Sequence, residues 1–464
     1  MCTCLIAGKN ATLSGRAMLA ANDDWDKIPG VLTHVPYQTH GPEETWLLTG
    51  GQRIPQVAET WGYSYTACKY EIGTLDRAWA GGVNNRGVAA AGTGASAFKA
   101  INCDDAWMEP DDVLLLILSR ATSARHGIRL VGDLINQYGL RFSGLESCAS
   151  MATFAVADSE EGWFLEVAPG AHWVATRVPD NEVGVRTNAL STHDADLTDT
   201  ENVMASPNLA EFAREQGWWD GDIRHFDFAC AYGSPTSPND WGPELHRMNM
   251  LRRWRAVNLL SGEETPEDAL IYSVVPNRPL SAADFKQVLR DVYQGTQYDL
   301  TKVPEAGRYG NPFHDDAAEY SLCRSWTVAS FVADLRKEGA SSVMWVCMSS
   351  PKTSVYMPVY ADIESLPAYC EEGEIRTDAP SLFWSFQNLL YLTCRRYSEN
   401  IPLIEEVQAA YEREAAEAVK AADQELAGLS EEERRAAQTA FTHRQIEKAM
   451  ELCHKTSATL AYRY

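Results

Sequence analysis

The chain has no apolar run long enough to cross a bilayer, which takes about 20 consecutive apolar residues. It has no basic segment at its start, and the apolar stretch from Cys4 to Ala7 is too short for a secretory signal core. Cys2 is therefore expected to belong to the working protein. Basic residues are scarce, 40 Lys and Arg against 64 Asp and Glu, for a net charge of −24. That excludes the basic footprint a nucleic-acid partner needs and argues against anionic membrane surfaces. No CxxC pair occurs among the eleven cysteines, which scatter from Cys2 to Cys453. An odd, scattered set does not read as a disulfide framework. It reads as small buried thiols in a reducing compartment, the cytoplasm. There is no fixed-period repeat, no low-complexity linker and no regular βαβ alternation. None of the ten histidines sits in a recognisable catalytic motif.

What is present reads as strands, then helices, then strands. "CTCLIAGKN" and "AMLAANDD" flank a turn at Ser14-Gly15. "AWAGGV" and "VAAAGTGA" flank Asn84-Asn85-Arg86-Gly87, a strong turn signal. The Ala and Gly content of this second pair predicts a close-packed neighbour. "PDDVLLLILSRA" and "SARHGIRLVGDLINQYG" carry helical spacing. The segments "ATFAVADS", "GWFLEVAPG", "HWVATRV" and "EVGVRTN" recur about every ten residues, as in an antiparallel meander. Helices follow at "LHRMNMLRRWRAVNLLS" and at "SAADFKQVLRDVYQG", the latter capped by Ser281 and Asp284. The strands "TVASFVADL", "SSVMWVCMSS" and "SVYMPVYA" come next. From about Pro402 the composition turns to Ala, Glu, Lys and Arg, with two helices parted at Gly428 and a capping box at Ser430 and Glu433. This order predicts an α+β protein of antiparallel sheets between helices. The expected division is a main domain over 1–401 and a charged helical appendage over 402–464, the latter available as an oligomer interface.

The chemistry concentrates at the front. Removal of Met1 makes Cys2 a residue with both a thiol and an α-amine, of ordinary pKa about 8.5 and 7.7–8.0. The amine can take the thiol's proton, so the nucleophile carries its own base. The alternative for Cys2 is an inert thiol near a terminus. Asn22-Asp23-Asp24 closes the second strand and puts a carboxylate beside Cys2; the alternative for Asp23, Asp24 and Asp26 is a solvated turn. Cys4 faces the same side of its strand as Cys2 and is expected in the core. The two thiols lack further ligands at metal-site spacing.

The ordered motifs "CT…G…M.AxNDD", "GGVNNRGVAAAGTGA" and "VPDNEVGVRTN" resemble the cysteine-nucleophile dipeptidases of the N-terminal-nucleophile (Ntn) hydrolases. Bile salt hydrolases, penicillin V acylases and secernins are more distant relatives. The resemblance continues through "RRWR", "YDLT", "SSVMWVCMSSPKTSVYMPVYADI" and "LFWSFQNLLYLTCRRY". It implies an αββα sandwich, hydrolysis of small peptide amides, and no metal or organic cofactor. It assigns Cys2 as nucleophile, Asp24 as the acid orienting the amine, and Asn188 as an oxyanion donor. A site arginine falls at Arg252 or Arg253. Two positions depart from the pattern: Ala21 stands where relatives carry Arg, and Gly94 where they carry Glu or Asn. Hydrolysis of another amide class, such as an N-acyl amide, and a non-catalytic relative are the competing readings.

Overall fold

The computed structural model describes residues 2–25, 28–69, 78–94, 98–142, 151–233, 243–314, 321–337, 340–374 and 380–463. Two antiparallel sheets dominate it. The first runs, edge to edge, Ser273–Val274, Val183–Arg186, Thr3–Ala7, Met18–Asp24, Thr327–Asp334, Val343–Met348 and Met357–Tyr360. The second runs Val203–Ala205, His172–Arg177, Gly162–Ala168, Met151–Ala157, Ala89–Gly94, Ala78–Asn84, Tyr63–Cys68 and Gly30–Val35. The sheets stack face to face, and helices cover the outside of both. This is the expected αββα sandwich.

The space between the sheets is narrow because small residues line it. Ala89, Ala91, Ala155 and Ala157 of the second sheet share one apolar cluster with Ile6, Ala21 and Phe331 of the first. A Cβ on Gly81 would lie 2.6 Å from the Phe331 ring, and one on Gly162 would lie 2.3 Å from Ile6 Cγ2. The glycines are thus where the opposite sheet comes closest, as the Ala/Gly hairpin predicts. That hairpin turns at Asn84, whose Oδ1 accepts the Arg86 and Val88 amides, while Gly87 supplies a φ of +77°.

Helices Pro110–Arg120 and Ala124–Tyr138 cover the outer face of the second sheet, with Leu114, Ile117, Ile128 and Val131 fully buried there. Helices Ala282–Leu289, Leu382–Cys394, Tyr397–Leu426 and Glu431–Tyr462 cover the first. Ser281 N donates to Asp284 Oδ2 at 2.8 Å and closes the expected cap. This helix ends earlier than its apolar spacing predicts. Asp291 Oδ1 accepts the Tyr293 amide at 2.7 Å, and Tyr293 takes a φ of +61°.

The 402 boundary lies inside helix Tyr397–Leu426. Tyr411, Ala415, Val419, Phe441, Ile446 and Ala449 share the apolar cluster that includes the sheet interface. Polar contacts reinforce the join. Gln408 Nε2 donates to three carbonyls, the shortest that of Ser354 at 2.6 Å. Glu412 pairs with Arg290 and accepts the Tyr356 amide at 3.0 Å. No helix among the described residues is long and apolar enough to cross a membrane.

One strand departs from the sequence reading, and it matters most for the site. Met151–Ala157, Gly162–Ala168 and His172–Arg177 form the predicted meander in the second sheet. The fourth segment, Val183–Arg186, crosses to the first sheet and pairs with Thr3–Ala7. It has no polar face to leave toward water: all four of its residues are buried.

Candidate active site

Thr3–Ala7 is an interior strand, flanked by Met18–Asp24 and Val183–Arg186. Its register sets Cys4 opposite Ala21 on one side and opposite Arg186 on the other, and Thr3 opposite Asn22. One step further along each ladder brings Cys2 beside Asp23 and toward Asn188. Antiparallel partners share a face. Cys2, Ala21 and Asp23 therefore look toward the second sheet, and Asn22 and Asp24 look away.

The thiol bears this out. Cys2 Sγ donates to Asp23 Oδ1 at 3.3 Å, and Cys68 Sγ, from the second sheet, donates to Asp23 Oδ2 at 3.4 Å. Burial pushes the Cys2 thiol up to about 12, with Asp23 and Asp24 adding to the rise and the positive amino end of the chain opposing it. Burial likewise raises the Asp23 carboxyl to about 6. Asp24 is 1% exposed, and its Oδ1 accepts the Thr327 hydroxyl at 2.6 Å. Its carboxyl is also raised by burial, against the pull of the amino end, Arg324 and Arg252. Asp23 and Asp24 are thus buried strand residues and not a solvated turn. Asp26 lies outside the described residues.

Arg252 is fully buried on helix Pro243–Ser261. Its Nη1 donates to the Cys2 carbonyl at 2.9 Å and to Thr3 Oγ1 at 3.3 Å. Its Nη2 donates to Asn188 Oδ1 at 2.9 Å and to Asn249 Oδ1 at 2.6 Å. A guanidinium only donates, so the oxygen of the Asn188 amide must face it and the NH2 must turn away. Among the described residues no acceptor takes Asn188 Nδ2. Asn249 adds a second grip, since its Nδ2 donates to the Asn188 carbonyl at 2.9 Å. Beyond Asn188 the turn is fixed by Glu166. This fully buried carboxylate accepts the Ser191 amide at 2.6 Å and the Thr192 amide at 3.0 Å.

The neighbouring Arg253 is directed elsewhere, as adjacent helix positions must be. Its guanidinium lies over the Tyr272 ring at 4.7 Å and donates to the Tyr272 hydroxyl and the Ala269 carbonyl. It touches neither Cys2 nor Asn188. Cys4 is fully buried in the apolar cluster, as is Ala21 at 4% exposure. Gly94 ends its strand at a register shift opposite Met151.

Sequence reading brings Cys2, Asp24, Asn188 and Arg252 forward. It passes over Asp23 as the thiol's partner, and over Cys68, Asn249 and Thr327. A signal existed for Asn249: it precedes Arg252 by three on a helix, which puts both on one face. Outside this set, His193, Asp227 and Cys230 bring three ligand-type atoms within 4.8 Å of one another. Their contacts are those of a helix cap, with Asp227 accepting the Cys230 amide at 2.8 Å and facing His193 Nδ1 at 3.1 Å.

A buried thiol, two buried carboxylates, an amide of fixed orientation and a guanidinium on the thiol residue's own carbonyl form a set suited to acyl transfer. The profile of Peptidase family C69 matches residues 1–410. A probable dipeptidase of Salmonella dublin is 29% identical over 393 residues, covering 81% of this chain and 84% of its own. A probable dipeptidase of Latilactobacillus sakei is 24% identical over 410 residues, covering 85% and 81%. Among solved structures, a mutant of conjugated bile acid hydrolase from Clostridium perfringens aligns with a TM-score of 0.39 at 12% identity, over 81% of this chain and 96% of that one. Penicillin V acylase from Agrobacterium tumefaciens aligns with a TM-score of 0.36 at 14% identity, over 78% and 86%.

Proposed function

The chain belongs to Peptidase family C69, and from that premise we propose that it is a cysteine dipeptidase whose nucleophile is Cys2 after removal of Met1. The observation that carries this reading is the bridge made by Arg252, which joins the Cys2 carbonyl to Asn188 Oδ1. Nucleophile and amide donor thereby belong to one rigid unit.

In the proposed reaction the freed α-amine of Cys2 takes the thiol proton. A thiol held near 12 supplies almost no thiolate at neutral pH unaided, so an adjacent base is needed. Sγ then attacks the scissile carbonyl carbon. The carbonyl oxygen gathers negative charge and is met by Asn188 Nδ2, a contact worth on the order of 3 kcal/mol in such sites. The ammonium formed on Cys2 is held by Asp24 and returns its proton to the leaving amine. A thioester on Cys2 remains. Water, deprotonated by the same amine, releases the acid and restores the thiol. Cytoplasmic action on small peptides accords with the eleven scattered cysteines.

The test is a screen of dipeptides and N-acyl amino acids against the purified protein and its Cys2→Ser variant, with intact mass read in parallel. Turnover of dipeptides by a chain starting at Cys2, lost in Cys2→Ser, is the expected result. Turnover confined to N-acyl substrates would transfer the protein to another amide class. A chain that retains Met1 and hydrolyses nothing would favour the non-catalytic reading.

A further inference from the structure

We infer that Asp23 anchors the α-ammonium group of the substrate, so that the site selects peptides with a free amino terminus and turns away N-acylated ones. The inference rests on the proposed role of Cys2 as nucleophile. It begins from an imbalance of charge. Two carboxylates, Asp23 and Asp24, are buried side by side at the end of one strand. Asp24 accepts the Thr327 hydroxyl and lies in the field of Arg324 and Arg252. Asp23 makes no ion pair among the described residues. Its side-chain partners are two thiols, Cys2 and Cys68. The amino end of the chain acts on both carboxylates, but Asp24 also feels Arg324 and Arg252, whereas the amino end is the one cation among the main influences on Asp23. A buried carboxylate without its own cation is costly, and the raised Asp23 carboxyl reflects that cost.

Substrate geometry brings the missing cation to the right place. In an aminoacyl substrate the α-nitrogen is joined through one carbon to the carbonyl carbon that Sγ attacks. Standard bond lengths put it about 2.5 Å from that carbon. The attacking sulfur approaches the same carbon to about 3–3.5 Å. Asp23 Oδ1 lies 3.3 Å from Sγ, on the same face of the sheet. It is therefore within a hydrogen bond's reach of an α-ammonium seated for attack. The two carboxylates divide between two amines: Asp24 holds that of Cys2, and Asp23 receives that of the substrate. An N-acyl substrate presents a neutral amide and a carbonyl oxygen there, leaving Asp23 unpaired and adding repulsion between oxygens.

Binding and turnover test this separately. Ala-Ala and N-acetyl-Ala-Ala are titrated calorimetrically into Cys2→Ala and into Cys2→Ala/Asp23→Asn. The same peptides are assayed for hydrolysis by the wild type and by Asp23→Asn. The expected result is binding of Ala-Ala to Cys2→Ala, with N-acetyl-Ala-Ala weaker by on the order of 10²-fold. Asp23→Asn should erase most of that difference in binding and in kcat/KM, while iodoacetamide still labels Cys2. Equal binding of both peptides to Cys2→Ala, binding of neither, or discrimination that survives Asp23→Asn overturns the inference. Should Asp23→Asn fail to fold, the comparison of the two peptides on Cys2→Ala still decides. Absence of wild-type turnover on any peptide overturns the hydrolase reading and leaves the binding result to judge Asp23 alone.

Discussion

Arg252 Nη2 lies 2.9 Å from Asn188 Oδ1, and this contact decides which end of the Asn188 amide faces the guanidinium and which is turned from it. The NH2 is the end turned away, as the proposed oxyanion role requires. Asn188→Ala should lower kcat by on the order of 10²-fold with little change in KM. Steady-state kinetics on a cleaved dipeptide checks this, and an unchanged kcat removes Asn188 from the reaction.

Arg252 and Arg253 should separate cleanly. Arg252→Lys keeps the charge but loses the fork that reaches the Cys2 carbonyl and Asn188 at once, and kcat should fall by about tenfold or more. Arg253→Lys disturbs the contacts to Tyr272, Glu267 and Ala269, none of them at Cys2 or Asn188, so kcat should stay within about twofold. The pair of rate constants checks the assignment, and equal losses would refute it.

Retention of Met1 should act like Cys2→Ala. An amide nitrogen at Cys2 cannot accept a proton at neutral pH, so both proteins should be inert, whereas Cys4→Ala should keep most turnover. With no arginine at position 21 and the thiol held high by burial, the activity optimum should sit above neutral. Iodoacetamide labelling of Cys2 should keep rising with pH past the ordinary thiol value of about 8.5. Peptide mapping across pH reads it, and preferential labelling of Cys4 would count against the nucleophile.

Asp23 also predicts a pH dependence of stability. Its folded carboxyl is raised from 3.8 to about 6, so the folded state favours the protonated form. Stability from this group is present in acid and is lost as pH climbs from about 4 to about 6, a change of up to about 3 kcal/mol. Asp23→Asn should therefore raise Tm at pH 7 and leave it nearly unchanged at pH 4. Thermal melts at the two values decide.

Helices beyond 402 should matter for stability more than for chemistry. The hydrogen-bond partners given above for Cys2, Asp23, Asp24, Asn188 and Arg252 all precede residue 402, while Glu412 neutralises the buried Arg290. Glu412→Gln should lower Tm by several degrees with turnover per folded molecule retained. Truncation before Ala409 removes Tyr411 and Ile446 from the shared core and should cost far more stability still.

The sequence made the layers legible because periodicity and turn chemistry are local. Asn84 to Gly87, the Ser281 cap and the Ala/Gly face at Gly81 all read correctly for that reason. Cys2 comes forward on its own chemistry, and Asp24 and Asn188 through resemblance. The pairing of strands is not local. Nothing within "EVGVRTN" says that it leaves the meander for the other sheet, because an all-buried strand reads the same in either place. That one crossing brings the Asn188 segment beside Cys2. The Asp23 contact follows from register, which a hairpin with a long turn does not reveal. Arg252 and Arg253 looked equivalent because helix phase, unlike strand alternation, needs a known neighbour to fix it.

The central position of Thr3–Ala7 has a consequence for biosynthesis. Thr3–Ala7 completes its pairing only when Val183–Arg186 has been made, and the sheet beyond Met18–Asp24 closes only with Thr327–Asp334. If Cys2 is the nucleophile as proposed, the aminopeptidase that frees it has that interval in which to act. Once the sheet closes, Cys2 is 8% exposed. On the proposed reading, maturation of the nucleophile is thereby a co-translational event with a deadline.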